Sequence, residues 1–260
     1  MKVIDINIGD FETVEIHTFA DLHIGDQYCD MNSVKRRIEY VKNTPNAYAL
    51  LNGDLFNNAT KTSVSDSYAE LLPPMEQIQE GVDLFEPIAH KILALCTGNH
   101  ENRTYNKEGI DLMNLFARQL RIFNRFCAVG GYIFLNLGTD ERRSTDKRHR
   151  PLLYTIYMTH GSGGGKKEGG KIQRLMDMAD KLDADIYIHS HTHVPAVLKG
   201  AYYRCNRNSH SLEKATRLFV NTSSELDWGG YAEQFELKPS ALITPTIYLD
   251  GRKFGMEGKL

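Results

Sequence analysis

Cysteine is sparse in this 260-residue chain and never paired: Cys29, Cys96, Cys127 and Cys205 stand far apart, with no C-x-x-C. That spacing argues against a disulfide framework and against a thiolate zinc site. Cys96 sits in an apolar run and reads as a small core residue. No apolar run approaches the ~18 residues that a bilayer-spanning helix needs. The N-terminal stretch alternates apolar and polar residues and lacks the continuous apolar core of a signal peptide. These absences predict a cytoplasmic protein with no membrane association. An excess of charge is also missing, since 31 Lys and Arg face 33 Asp and Glu for a net charge of −2. No whole-molecule field therefore draws the protein to nucleic acid, although a local basic surface is compatible with that balance. Neither an internal repeat nor a low-complexity tract is visible.

What remains is ordinary globular material, 41% hydrophobic and 25% charged, long enough to bury a substantial core. Residues 14–20, 47–51, 92–97, 153–159, 185–188 and 218–222 read as short buried or half-buried strands, with 133–137 and 246–249 as further candidates. Residues 31–42, 110–123 and 171–182 read as helices. In the last of these, Ile172, Leu175, Met176, Ala179 and Leu182 mark one apolar face. Strands alternating with helices imply βαβ units and a mainly parallel sheet early in the chain. The two strand runs between Cys127 and Thr159 have no helix between them and suit an antiparallel pair, with 138–151 as a solvated loop. Pro73-Pro74 interrupts the insertion 65–86, which is expected to be helical. No domain boundary is evident, so residues 1–260 are read as a single domain.

Polar residues with metal-ligating chemistry fall almost entirely where predicted strands end. Asp21 and His23 form D-x-H in "FADLH", Asp54 closes "LNGD", and Asn99 and His100 lie in "GNHE". His160 follows "LYTIYM", and His189, His191 and His193 crowd "HSHTH". Each cluster should emerge at the carboxyl edge of a sheet, where open α/β sheets bind ligands. Residues two apart at a strand end point the same way, so Asp21 and His23 can reach one cation. The three late histidines share a face if their strand continues that far. Taken singly, most of these are common turn or edge residues, and three imidazoles alternatively suit a single His-only zinc site. Carboxylate, amide and imidazole together describe a site for two divalent cations and point to phosphoester hydrolysis. With no thiolate, manganese suits the set best, with iron or zinc as alternatives.

In order, Asp-x-His, Gly-Asp, Gly-Asn-His-Glu, a strand-terminal histidine and His-x-His resemble the calcineurin-like metallophosphoesterase family. The likeness runs from about residue 14 to 224, including "FVNTSS". It implies two mixed β-sheets packed as a sandwich and flanked by helices, with the metal site at the carboxyl ends of the strands. It also implies that Asp21, His23 and His193 hold one metal, that Asn99, His160 and His191 hold the other, and that Asp54 bridges them. His100 matches the family's catalytic histidine, a general acid or a donor to developing charge, with a metal-bridging hydroxide as nucleophile. His189 falls outside the matched set, and Ser190 stands where relatives usually have glycine.

Substrate signals are weaker. After Asp54 the chain reads "LFNNA" rather than the Asp-Arg-Gly continuation of protein phosphatases, which argues against a phosphoserine substrate. Asn57 is either a phosphate or supporting contact or a turn cap, and Arg103 is either a phosphate ligand or a solvated arginine. The "HGSGGGKKEGG" segment fails the P-loop pattern because Lys167 follows Lys166 where Ser or Thr is required. Residues 199–217 carry Lys199, Arg204, Arg207, Lys214 and Arg217 against Glu213, with Tyr202 and Tyr203 among them. That mixture suits backbone tracking and base stacking on nucleic acid, or an ordinary basic hairpin. Trp228 to Tyr231 either line the site or close a loop. The expected activity is phosphodiester hydrolysis, with the flavour of a DNA-repair exonuclease and DNA or RNA as candidate partners. The alternatives are a small-molecule or cyclic-nucleotide phosphodiesterase, a phosphomonoesterase, or a scaffold without catalysis.

Overall fold

The computed structural model describes all residues except 62, 64–66, 139–151, 164–166, 235 and 237. The loop expected over 138–151 therefore lies almost wholly outside the described residues. Two six-stranded mixed sheets pack face to face. One runs β1 (Lys2–Ile8), β6 (Gly130–Leu137), β7 (Leu152–Thr159), β8 (Ile186–His189), β10 (Ser211–Asn221), β9 (Ala196–Asn206). The other runs β12 (Met256–Lys259), β11 (Thr246–Asp250), β2 (Thr13–Phe19), β3 (Ala47–Asn52), β4 (Ile92–Cys96), β5 (Phe126–Cys127). Pairing is parallel from β2 through β5 and antiparallel between β6 and β7, as the sequence pattern predicts.

Side-chain alternation divides the core. On β3, Leu50 faces the opposing sheet with Ile16, Ile133 and Ile156. Its neighbours Ala49 and Leu51 face Val34 and Ile38 of α1 (Met31–Asn43), Ile78 and Phe85 of α2 (Pro74–Phe85) and Phe116 of α4 (Leu112–Gln119). A strand buried on both faces must read as a continuous apolar run, and "AYALL" does. Beyond the first sheet, Leu175 of α5 (Glu168–Met176) packs on Tyr187 and Phe219. Ile4 near one terminus and Met256 near the other share the inter-sheet core. Among the described residues no helix is long and apolar enough to cross a membrane.

Three differences from the sequence reading have local causes. The helix expected over 110–123 is shorter, Leu112–Gln119, and an unexpected helix, α3 (Asn99–Glu108), precedes it; Gly109 takes a left-handed φ of 70° and ends α3 before Asp111 caps α4 through Asn114 N. The helix expected over 171–182 begins at Glu168 and tightens into a 3₁₀ turn at Asp177–Asp180. β1 pairs in parallel with β6 over its whole length, although its outward residues, such as Val3 at 60% exposure, obscure its strand character.

Candidate metal centre

The strands stop short of the polar clusters. β2 ends at Phe19 and β8 at His189, so Asp21, His23, His191 and His193 sit in loops beyond them. The expectation that each D-x-H or H-x-H pair shares a strand face is thus corrected. The residues bend instead into left-handed backbone, with φ of 51° at Asp21, 53° at His23, 50° at Asp54, 67° at His191 and 54° at His193. Such conformations cost about 1–3 kcal/mol each in non-glycine residues and persist only where surrounding contacts enforce them.

Those contacts are present. The loops after β2 and β3 run side by side, with Asp21 N donating to Gly53 O at 3.0 Å and His23 N to Asp54 O at 3.1 Å. Ser224 Oγ and Glu225 N both donate to Asp21 O, at 3.0 and 3.1 Å. The loops after β3 and β4 approach so closely that a Cβ on Gly98 would lie 2.1 Å from Asp54 Oδ1, and one on Gly53 would lie 2.7 Å from Gly98 N. Glycine before both Asp54 and Asn99 is therefore a packing requirement as well as turn chemistry.

This convergence brings the predicted residues together in overlapping groups. Asp21, His23 and His193 present ligand atoms within 4.8 Å of one another, as do Asp54, His160 and His191. His23, Asp54 and His100 form a third such group. His193 Nε2 lies 3.1 Å from Asp21 Oδ1, and His160 Nε2 lies 3.1 Å from both Asp54 Oδ2 and Asn99 Oδ1. Asp21, His23, Asp54 and His160 are almost wholly buried. Both ring nitrogens of buried His23 have no hydrogen-bonding partner among the described residues, an expensive arrangement for a polar group unless a cation takes a lone pair.

Electrostatics point the same way. Burial alone would raise Asp54, yet the imidazoles of His160, His100 and His23 hold its carboxyl well below the usual range. Burial works against protonated His160, but Asp54 and Asp21 push it up to about 10. Two buried carboxylates that retain a proton on a neighbouring imidazole mark a place that favours positive charge. Burial, reinforced by His100, holds His23 well below its ordinary value, which leaves it neutral and able to ligate.

Several supporting residues escaped the sequence reading. Glu101 is buried and accepts three backbone N–H bonds, from Gly98 at 2.9 Å and from Asp54 and Phe56 at 3.0 Å each. Burial and the Asp54 charge raise it to about 7. Its position three residues after Gly98, at the start of α3, was the available signal. Asn52 donates to Thr159 O at 2.9 Å and to Ser190 Oγ at 2.6 Å, while its carbonyl lies 2.8 Å from His160 Nδ1. A carbonyl on Nδ1 turns Nε2 toward the carboxylates. Ser190, where relatives carry glycine, thus contributes an acceptor and has no left-handed backbone to accommodate. His189 joins none of the three groups; its Nδ1 lies 3.0 Å from Asn221 Oδ1, and Asn221 also donates to Thr192 Oγ1 and Val194 O.

Asn57 turns its side chain toward Asp26 and Glu70, while its carbonyl lies 2.8 Å from His100 Nδ1. Trp228 is 43% exposed, and the two glycines that follow it pack against the Tyr28 ring. Lys166 falls outside the described residues, and Lys167 is exposed.

The basic segment proves to be a hairpin ribbon, β9 with β10. Its Asn221 end adjoins the histidine loop, and eleven strand residues at about 3.3 Å each put the other end roughly 35 Å away. Arg204 pairs with Glu213 at 3.4 Å, Arg217 pairs with Asp183 at 2.9 Å while covering the Tyr202 ring, and Lys199 donates to Met256 O at 2.9 Å.

A two-sheet sandwich with carboxylates and imidazoles gathered beyond its strand ends is the architecture of metallophosphoesterases. The chain belongs to the calcineurin-like phosphoesterase family, whose model matches residues 15–195. Among solved structures, a conserved uncharacterized protein (predicted phosphoesterase) from Streptococcus pneumoniae TIGR4 aligns at 16% identity over 95% of this chain and 88% of its own, with a TM-score of 0.37. Vps29 from Chaetomium thermophilum aligns at 12% identity over 94% and 96%, with a TM-score of 0.41. A Vps29 double mutant from Entamoeba histolytica aligns at 13% identity over 95% and 98%, with a TM-score of 0.40. No curated protein matches the chain in sequence.

Proposed function

We propose that the chain is a single-domain, dinuclear metal-dependent phosphoesterase that hydrolyses phosphodiesters. The observation that carries this reading is the shared position of Asp54, whose buried carboxylate belongs to two of the three ligand groups. Asp21, His23 and His193 would hold one divalent cation, Asn99, His160 and His191 the other, with Asp54 reaching both. The partnerless nitrogens of His23 and the mixed oxygen and nitrogen donors fit manganese first, then iron or zinc. When bound, such ions supply Lewis acidity toward phosphoryl oxygens and acidify water.

The chain's own residues do the rest. His100 also lies within ligand distance of His23 and Asp54, but both its nitrogens are already engaged, Nδ1 by Asn57 O at 2.8 Å and Nε2 by Arg103 Nη2 at 2.9 Å. This disfavours ligation and leaves His100 for the leaving oxygen or the developing charge, a donor role that Nε2 takes once it gains a proton. The first turn of α3 presents His100 N to Asp54 Oδ1 at 2.8 Å, and the positive end of that helix supports the carboxylate's charge. The distance of the ribbon tip from the centre favours small phosphodiesters, cyclic nucleotides among them, over DNA or RNA. The dispersed, unpaired cysteines support a reducing, cytoplasmic setting.

A hydrolysis panel with manganese-, iron- and zinc-loaded protein tests the reading. It compares a bis-aryl phosphodiester, an aryl phosphomonoester, cyclic nucleotides, RNA, and single- and double-stranded DNA. Faster turnover of the small diesters is expected. A fully loaded protein inert toward every ester would favour the scaffold, and preference for the monoester or for nucleic acid would overturn the substrate class.

A further inference from the structure

We propose that Arg103 is the phosphate-gripping residue of this centre, a role that rests on the phosphoesterase reading above and names the group that captures its substrate. Arg103 lies three residues after His100 on α3, so both side chains leave the same helix face. Its Nη2 is 2.9 Å from His100 Nε2 and its Nη1 is 3.1 Å from Asn57 O. A guanidinium only donates, so His100 Nε2 is the acceptor and Nδ1 carries the hydrogen directed at Asn57 O. The same Nε2 edge lies 3.9 Å from Asp54 Oδ2. The guanidinium is therefore one hydrogen bond beyond the carboxylate shared between the ligand groups. Among the described residues it is the only Arg or Lys side chain hydrogen-bonded to a side chain of the three groups. The nearby Lys171 and Arg174 donate instead to the carbonyls of Thr192 and Ser162.

Competition between acceptors gives this placement its function. A neutral imidazole nitrogen is a weaker partner for guanidinium than a phosphate oxygen, where both groups are charged and the fork can bind two oxygens. A phosphoryl group seated over the centre would draw Nη2 away from His100. Its oxygens would gain two directed donors, and Nε2 of His100, released from the guanidinium, would be free to take up a proton and face the ester. Arg103 then serves binding first and, through its release, the accessibility of His100.

The test uses the full manganese-loaded chain as wild type, Arg103→Ala and Arg103→Lys. It reads calorimetric binding of inorganic phosphate together with steady-state hydrolysis of a bis-aryl phosphodiester. Arg103→Ala should weaken phosphate binding and raise KM, each by about 10–100-fold, the scale of a lost charged hydrogen bond. Metal content and melting temperature should stay at the wild-type level. Arg103→Lys should recover part of the binding, because it keeps the charge and loses the fork. Wild-type phosphate affinity in Arg103→Ala, whether or not kcat falls, would overturn the proposal and leave Arg103 as a tether of His100. Failure of the wild-type protein itself to bind phosphate or cleave the ester would instead strike down the phosphoesterase reading on which the proposal rests.

Discussion

Both ends of β10 carry polar residues, but in almost everything else they differ. At one end Asn221 is buried and bonded to His189, Thr192 and Val194, holding the loop that presents His191 and His193. At the other end Leu212 is 70% exposed, and Arg204 and Asn206 bond to Glu213 within the ribbon itself. At the buried end each partner is imposed by another part of the fold, so side chains are held where reacting groups can be aligned. At the exposed end the partners are neighbours or water, and charge mainly solvates. Charge content alone does not locate chemistry; the origin of a residue's partners does.

The sharpest way to break this contrast is at the centre. His100→Ala should lower turnover of a diester with a poor leaving group by about 10²–10⁴-fold, with metal content preserved. The loss should shrink for a nitrophenolate leaving group, which needs little protonation. Unchanged turnover on both esters would remove His100 from the chemistry. Next in size is Glu101→Ala, which strips the acceptor from three backbone N–H groups. Metal affinity should fall by about 10–100-fold, the usual scale for residues that orient ligands. Metal titration followed by mass spectrometry would read it, and wild-type affinity would mean the Asp54 loop keeps its shape unaided.

A pH series gives a smaller and more graded effect. Despite burial, Asp54 and Asp21 hold His160 protonated up to about 10, above its ordinary 6.5. A raised folded-state value contributes stability that is complete below the unfolded value and is lost as pH rises through the folded one. Chelator-treated protein should thus melt progressively earlier from about pH 6.5 toward about 10. A divalent cation held by His160 would displace that proton, so the stabilising increment from added manganese should widen over the same interval. A flat melting temperature in the chelated protein would contradict the ion pair. The smallest effect belongs to the far end of the ribbon. Replacing Arg207 and Lys214 with Ser should change stability by no more than about 0.5 kcal/mol and leave hydrolysis of a small diester untouched. A clear loss of turnover would couple the two ends of β10.

Much of the centre was legible before the fold was known, because ligand chemistry requires particular side chains and strand ends announce themselves by apolar runs. Asp21, His23, Asp54, Asn99, His160, His191 and His193 do converge. The backbone that presents them was less legible. D-x-H and H-x-H suggested strand alternation, whereas left-handed residues make the turn, and nothing in the spacing alone separates the two. Glu101, Asn52 and Asn221 were missed for a related reason. Each acts through backbone groups or side chains distant in sequence, such as Asn52 on Thr159 and Ser190. The end of α3, a helix that was missed, and the start of α4 could have been read from Gly109 followed by Asp111. The remoteness of the basic ribbon tip could not, since it depends on β10 entering the sheet beside β8 with its carboxyl end at the centre.

Metal stoichiometry tests the central claim most directly. Elemental analysis of the manganese-reconstituted chain should give two ions per protein, and Asp54→Ala should lower the occupancy of both together, since one carboxylate serves each. A single tightly held ion in the wild type, unaffected by Asp54→Ala, would contradict the dinuclear account.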